Sequence, residues 1–259
     1  MISLANTYGQ RRNFLLGGLS GVGKTTYLNW LTALNLPVVA AGHNSVPIIK
    51  VDAPTTKNAP KVLVRRLILE CGKTYLKGDD EEDLLEKLDL FLQQCDVHLL
   101  VIDEVEHLTQ WQMRRRVLDI SNMTQDIPII CASCEPYHWT QGDVEVAGRW
   151  NDYFELTPYK GERLAALLTF LETLLPFTRP SHLAEATVRD EQHTELEGPA
   201  TCIERWTGGI LRDVMILLKD ASERAIQAQT TCLTLDLLAR SWQAIQERPL
   251  DLREGDDAA

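Results

Sequence analysis

The chain has 259 residues, a formal net charge of −11, 44% hydrophobic and 24% charged residues. That length is one large domain or two small ones, and a chain of this size buries roughly 70 to 75 % of its unfolded surface. The balance is that of a soluble globular protein: no apolar run reaches the roughly 18 residues of a membrane span, and Met1-Ile2-Ser3-Leu4-Ala5-Asn6 lacks the basic-then-apolar pattern of a signal peptide, so a cytoplasmic protein is expected.

The opening residues carry Tyr8, Arg11 and Arg12, which either flank a nucleotide base or belong to a mobile terminus. Asn13 to Gly17 is a short apolar run suited to a buried strand, and Thr26 to Leu34 reads as an amphipathic helix. Between them Gly18-Leu19-Ser20-Gly21-Val22-Gly23-Lys24-Thr25 fits G-x-x-x-x-G-K-[ST] at every defined position, in the strand-to-helix context that a phosphate-binding loop requires. The glycines let several backbone N–H groups converge on one point, and the helix N-terminus adds its positive end. Gly18, Ser20, Gly21, Val22, Gly23, Lys24, Thr25 and Thr26 are therefore the candidate nucleotide-binding residues. Lys24 supplies a point charge to the β- and γ-phosphates of ATP, and the Thr25 hydroxyl is suited to ligate Mg²⁺.

Pro37 to Ala40 is a candidate short extra strand, and Ser45 to Val51 reads as a second strand ending at Asp52-Ala53-Pro54. Two helices are expected next, one over Pro60 to Tyr75 and one carrying Leu84, Leu85, Leu88, Phe91 and Leu92. Val97 to Ile102 is a third strand that runs into Asp103-Glu104, the Walker B pattern. Asp103 is placed to hold Mg²⁺ or its water, and Glu104 to polarise an attacking water. Ile127 to Ala132 is a fourth strand ending in Ser133, and Tyr153 to Leu156 a fifth. From Gly161 onward no strand is expected; Glu162 to Leu175, Ala200 to Thr207, Leu211 to Gln227 and Leu233 to Glu247 read as helices.

Buried parallel strands alternating with helices indicate an α/β fold, a P-loop NTPase sheet flanked by helices (residues 1–158) and followed by a small helical lid with an acidic tail (residues 159–259). The six cysteines suit buried apolar positions better than a disulfide framework, and Cys131-x-x-Cys134 lacks the second ligand pair of a zinc site. The acidic clusters, Asp79 to Asp83, Asp190 to Glu197 and Glu254 to Asp257, read as solvated loops, a helix start and a frayed end. Net charge speaks for the whole field and leaves a local basic stripe open.

The order of parts resembles an AAA+ ATPase, and three stretches resemble the TniB/TnsC family of transposon AAA+ ATPases. They are Pro47-Ile48-Ile49-Lys50-Val51-Asp52-Ala53-Pro54, the segment from Leu99 to Leu108 around Asp103-Glu104, and Leu175-Pro176-Phe177-Thr178-Arg179-Pro180-Ser181-His182-Leu183. The resemblance spans about Asn13 to Leu218, and the acidic tail after Arg253 has no counterpart in it. It implies a sensor 1 role for Ser133, where the bland reading is a strand-end serine capping the next turn. It implies an arginine finger at Arg149, acting on nucleotide held by a neighbouring subunit, against a plain surface arginine. Arg212 resembles sensor 2, against a helix-surface arginine.

The function implied is regulation of DNA transposition: a homo-oligomer, ring or helical filament, that assembles on double-stranded DNA with ATP, recruits transposase and target-selection proteins, and is reset by slow hydrolysis. The alternatives are a helicase loader or replication initiator, and a signalling ATPase with protein partners only. Lys57, Lys61, Arg65, Arg66, Lys73 and Lys77, with Thr74 and Tyr75, form the most sustained basic interval and lie where the resembled family places its DNA-facing elements. The competing readings are a solvated helix face and the Arg114-Arg115-Arg116 patch, whose consecutive residues spread around a helix axis.

Overall fold

The computed structural model describes residues 13–40, 43–55, 59–108, 111–124, 126–135, 139–189 and 194–247. Tyr8, Arg11, Arg12, Lys57 and the acidic tail lie outside them. The chain divides into two compact units, Met1–Leu156 and Thr157–Ala259.

The first unit is built on five parallel strands: β1 (Phe14–Gly17), β4 (Ile48–Asp52), β5 (Leu99–Asp103), β6 (Ile129–Ala132) and β7 (Asp152–Glu155), in the order β4-β5-β6-β1-β7. Successive residues of a strand point to opposite faces, and the apolar runs supply both. Leu15, Ile49, Leu100, Ile102 and Cys131 pack with the buried sides of α2 (Ala59–Glu70), α3 (Glu81–Gln94) and α4 (Trp111–Met123). Leu16, Ile48, Leu99, Val101 and Ala132 form a second cluster with Leu28 of α1 (Lys24–Ala33). Every residue of β5 is buried, so the strand that carries Asp103 is the most enclosed of the sheet. A short helix, α5 (Val144–Arg149), precedes β7.

Several boundaries differ from the sequence expectation. The run Ser45 to Val51 is divided at Pro47: β2 (Val38–Ala40) and β3 (His43–Ser45) form a separate antiparallel hairpin, and the sheet strand starts at Ile48. Proline has no N–H to donate to a ladder, which accounts for the break. The helix expected to reach Tyr75 stops at Glu70, where Gly72 adopts a positive φ of 67° and bonds back to Leu69 O at 2.8 Å. Asp80 opens α3 with a capping box, its carboxylate accepting from Glu82 N and Asp83 N while Asp83 accepts from Asp80 N.

The second unit has four helices among its described residues: α6 (Glu162–Glu172), α7 (Pro199–Thr207), α8 (Leu211–Gln227) and α9 (Leu235–Glu247). Leu164, Leu168, Ile203, Val214, Leu217 and Leu238 form its core. It also contains an antiparallel hairpin, β8 (Thr187–Arg189) with β9 (Glu195–Glu197), which corrects the expectation that no strand follows Gly161. These strands are short and mostly exposed, so they carry no alternating apolar signal.

Two contacts explain sequence features of this unit. The Leu175 to Leu183 stretch is folded around Glu172, whose carboxylate accepts from the backbone N–H groups of Ser181, of His182 at 2.9 Å and of Leu183 at 3.1 Å. Gly209 has a positive φ of 73°, and a Cβ there would lie 1.8 Å from Tyr159 O; only glycine fits.

Candidate functional site

The loop between β1 and α1 bends through Gly18, Gly21 and Gly23 at φ of 139°, 76° and 110°. Gly18 meets a close backbone as well, since a Cβ there would lie 2.4 Å from Leu156 O. Gly23 is the N-cap of α1, and no side chain caps the first turn. The helix therefore presents its first N–H groups and its positive end to an anion. Within this cradle Lys24 is buried, its Nζ donating to Gly18 O at 2.8 Å, to Leu19 O at 3.1 Å and to Cys134 Sγ at 3.2 Å.

Asp103 ends β5 and is 2% exposed. Its Oδ2 accepts from the Thr25 hydroxyl at 2.8 Å, and its Oδ1 accepts from Glu104 N at 3.0 Å. Lys50 Nζ lies 3.6 Å from the same Oδ2 and 3.3 Å from Asp52 Oδ1. Asp52 and Asp103 are themselves register partners across β4 and β5. Glu104 turns the chain sharply, at φ 58° and ψ 37°, with an exposed side chain whose Oε2 lies 3.5 Å from His107 Nε2. A non-glycine residue held in the left-handed region is a local strain that places this side chain off the strand axis.

Ser133 follows β6 and is fully buried, with its N–H on Leu16 O at 2.9 Å. Its hydroxyl accepts from Glu135 N at 3.0 Å, the turn-capping geometry of a strand-end serine. Cys134 N donates to Glu106 Oε1 at 3.3 Å. Burial pushes the Cys134 thiol up while the Lys24 ammonium opposes that rise. Cys131, three residues earlier and in β6, is fully buried and its thiol is pushed well up by desolvation. The described residues hold no group of three or more His, Cys, Asp or Glu side chains arranged as a metal site.

This is an anion cradle, a hydroxyl and a carboxylate converged beside it, and a displaced acid next in the chain. A family model described as an AAA domain matches residues 7–137. The chain belongs to this AAA domain family. No curated protein matches it. Among solved structures, this AAA chain is similar to ORC1 of Aeropyrum pernix in complex with DNA, 15% identical with a TM-score of 0.61 over 93% of this chain and 64% of that one. It is also similar to the ADP form of Aeropyrum pernix ORC2, 17% identical with a TM-score of 0.65, covering 91% of this chain and 63% of that one. A point mutant of Thermotoga maritima RuvB is 14% identical with a TM-score of 0.56, covering 92% and 64%. The chain thus spans less than two thirds of the length of these proteins, and the likeness is one of fold: a parallel five-stranded sheet flanked by helices, with a helical C-terminal region.

The remaining candidates of the AAA chain make contacts of their own. Arg149, the last residue of α5, is exposed and donates to Asn122 Oδ1 at 2.6 Å. Arg212 is in the first turn of α8, within the helical unit, and its guanidinium pairs with Asp213 at 3.4 Å. In the basic interval, Lys61 donates to Asp79 O, the Arg65 guanidinium stacks 4.9 Å from the Tyr75 ring, and Lys73 Nζ lies 5.8 Å from the Phe91 ring. Arg66 donates to Asp52 O at 2.6 Å, while Thr74 and Lys77 are exposed. The Arg114 to Arg116 patch is engaged at each position: Arg114 on Leu108 O at 3.3 Å, Arg115 on Glu145, and Arg116 on Glu81 at 2.8 Å.

Sequence reasoning gave no role to Lys50, Cys134 or Glu106. Lys50 had a readable signal: a charged residue inside a doubly buried strand must find a partner or be excluded. Cys134 and Glu106 had none, because their positions depend on how two loops meet.

Proposed function

We propose that this chain is a Mg²⁺-dependent ATPase that works as a DNA-associated molecular switch. The observation that carries the reading is the convergence of Lys24, Thr25 and Asp103, in which the hydroxyl that would hold the metal touches the carboxylate that would hold its water shell. The uncapped α1 N-terminus and the glycine-lined turn fit a triphosphate, with Lys24 exchanging loop carbonyls for phosphate oxygens. Bound Mg²⁺ would supply charge neutralisation between the β- and γ-phosphates. Glu104 polarises the attacking water, and Ser133 and Arg212 are proposed to orient the γ-phosphate. Arg149 is proposed to reach the site of a neighbouring subunit in a homo-oligomer.

The finer reading is a regulator of DNA transposition that oligomerises on duplex DNA and recruits transposase and target-selection proteins. It is supported by the resemblance of three sequence stretches to the TniB/TnsC family. A second reading, a helicase loader or replication initiator, is favoured by the likeness to an ORC1 solved in complex with DNA. Electron microscopy and sedimentation with duplex DNA, with and without a non-hydrolysable ATP analogue, test the shared part. Rings or filaments on DNA that require the analogue support it; no DNA association with any nucleotide leaves only a protein-partner switch. Stimulation of strand transfer by a transposase, against loading of a helicase, separates the two finer readings.

A further inference from the structure

We infer that Lys50 is a resident cation of the metal subsite, a positioning residue that holds Asp103 and sets the metal concentration at which metal-bound nucleotide forms. The inference deepens the nucleotide reading above and rests on it.

Lys50 is embedded in the sheet, its side chain 16% exposed, and a charge so placed is costly unless it is paired. Its partners are the two carboxylates at the C-terminal ends of adjacent strands, Asp52 at 3.3 Å and Asp103 at 3.6 Å. Lys50 and Asp52 are two apart on one strand and so share its face, while Asp52 and Asp103 are Cα partners across the ladder. Without a cation between them, carboxylates on these paired positions repel, and the aim of Asp103 is no longer fixed from that side. With Lys50 present, Asp103 Oδ2 accepts from the Thr25 hydroxyl at 2.8 Å and pairs with the ammonium at 3.6 Å.

The consequence is competition. A divalent ion recruited by Thr25 and Asp103 meets a fixed positive charge beside the oxygen it needs, so Lys50 weakens metal binding while keeping the carboxylate aimed. Removing the charge leaves Asp52 and Asp103 both facing the metal, and affinity rises. One unit charge acting on a divalent ion a few ångström away through a water-like dielectric corresponds to about a tenfold change.

The test uses the full chain with a fluorescent ATP analogue, Mn²⁺ as the metal, and free Mn²⁺ read by electron paramagnetic resonance. Lys50→Met keeps the stem and removes the charge; Lys50→Arg keeps the charge. The half-saturating Mn²⁺ concentration is expected to fall about tenfold in Lys50→Met and to stay near wild type in Lys50→Arg. Asp52→Asn, at an exposed position, is expected to raise it and serves if Lys50→Met does not fold. Unchanged Mn²⁺ dependence in a folded Lys50→Met, or in Asp52→Asn if that variant alone folds, overturns the inference. Failure of the wild-type chain to bind the analogue at any Mn²⁺ concentration, or in chelator, overturns the nucleotide reading and this inference with it.

Discussion

Thr25 and Asp103 stand 78 positions apart in the chain, and the hydroxyl of one donates to the carboxylate of the other at 2.8 Å. The phosphate loop and the end of the most enclosed strand are thus tied together before any ligand is considered. On the proposed chemistry, Lys24→Ala removes the charge on the β- and γ-phosphates and abolishes nucleotide binding in a fluorescence titration. Glu104→Gln keeps binding and loses turnover, by about 10²- to 10⁴-fold, the usual contribution of a positioned base. Equal affinity in wild type and Lys24→Ala would remove the assignment.

Arg149 tests the shared site. Arg149→Ala and Glu104→Gln proteins are each expected to be nearly inactive alone, and a mixture is expected to regain part of the hydrolysis rate. Some interfaces in the mixture join an intact arginine to an intact acid. No recovery from two folded, co-assembling proteins counts against action between subunits.

The basic interval divides into engaged and available charges. Lys61 is held on Asp79 O and Arg65 on the Tyr75 ring, whereas Lys77 and Thr74 are exposed. Charge reversal at Lys57, Lys73 and Lys77 is expected to weaken ATP-dependent DNA binding and flatten its salt dependence, with nucleotide affinity intact. Reversal of Arg116, paired with Glu81, is expected to lower stability and leave the salt slope alone. A salt titration unchanged by the first set excludes this surface.

Glu172 is the single acceptor for three consecutive N–H groups. Glu172→Ala leaves them without that partner, and a loss of about 2 kcal/mol in stability is expected. Hydrogen exchange at Ser181, His182 and Leu183 should quicken in the variant, with little change in α8.

Asp79 gives a pH dependence. The Lys87 ammonium at 2.7 Å, with the N–H of Leu76, holds its carboxyl below the usual carboxylate range. A depressed folded-state value means that the stabilisation is present above the ordinary carboxylate range and is lost as pH falls through the folded value. Thermal melts of Asp79→Asn are therefore expected to show a smaller drop than wild type on acidification, and parallel curves would dismiss the link.

Much of this fold was readable because its signals are local. Strands β1, β4 and β5 are apolar runs closed by Gly or Asp, β6 is one closed by Ser133, and the helix Leu211–Gln227 has the bounds its periodicity gives. The hairpin Thr187–Arg189 with Glu195–Glu197 was missed because exposed polar strands leave no pattern. In the site, the loop and Asp103-Glu104 are contiguous motifs. Lys50 was passed over because its meaning lies in a neighbour on another strand, and Cys134 because its sulfur reaches Lys24 only once β1 and β6 pair. In the basic interval the sequence shows the charges but not their partners: charge counts along a chain do not reveal that Lys61 is held on Asp79 O or Arg65 on the Tyr75 ring.

Gly18 packs on the carbonyl of Leu156, the last residue of the sheet unit, and Leu156 N in turn donates to Gly17 O at 2.9 Å. The peptide at which the chain leaves the sheet is therefore the floor on which the phosphate loop rests. A pull on the segment beyond Leu156 is transmitted to the first glycine of the loop without passing through any side chain. For protein engineering this makes the joint a poor place for a graft or a chain break, since lengthening it by one residue loosens the cradle itself.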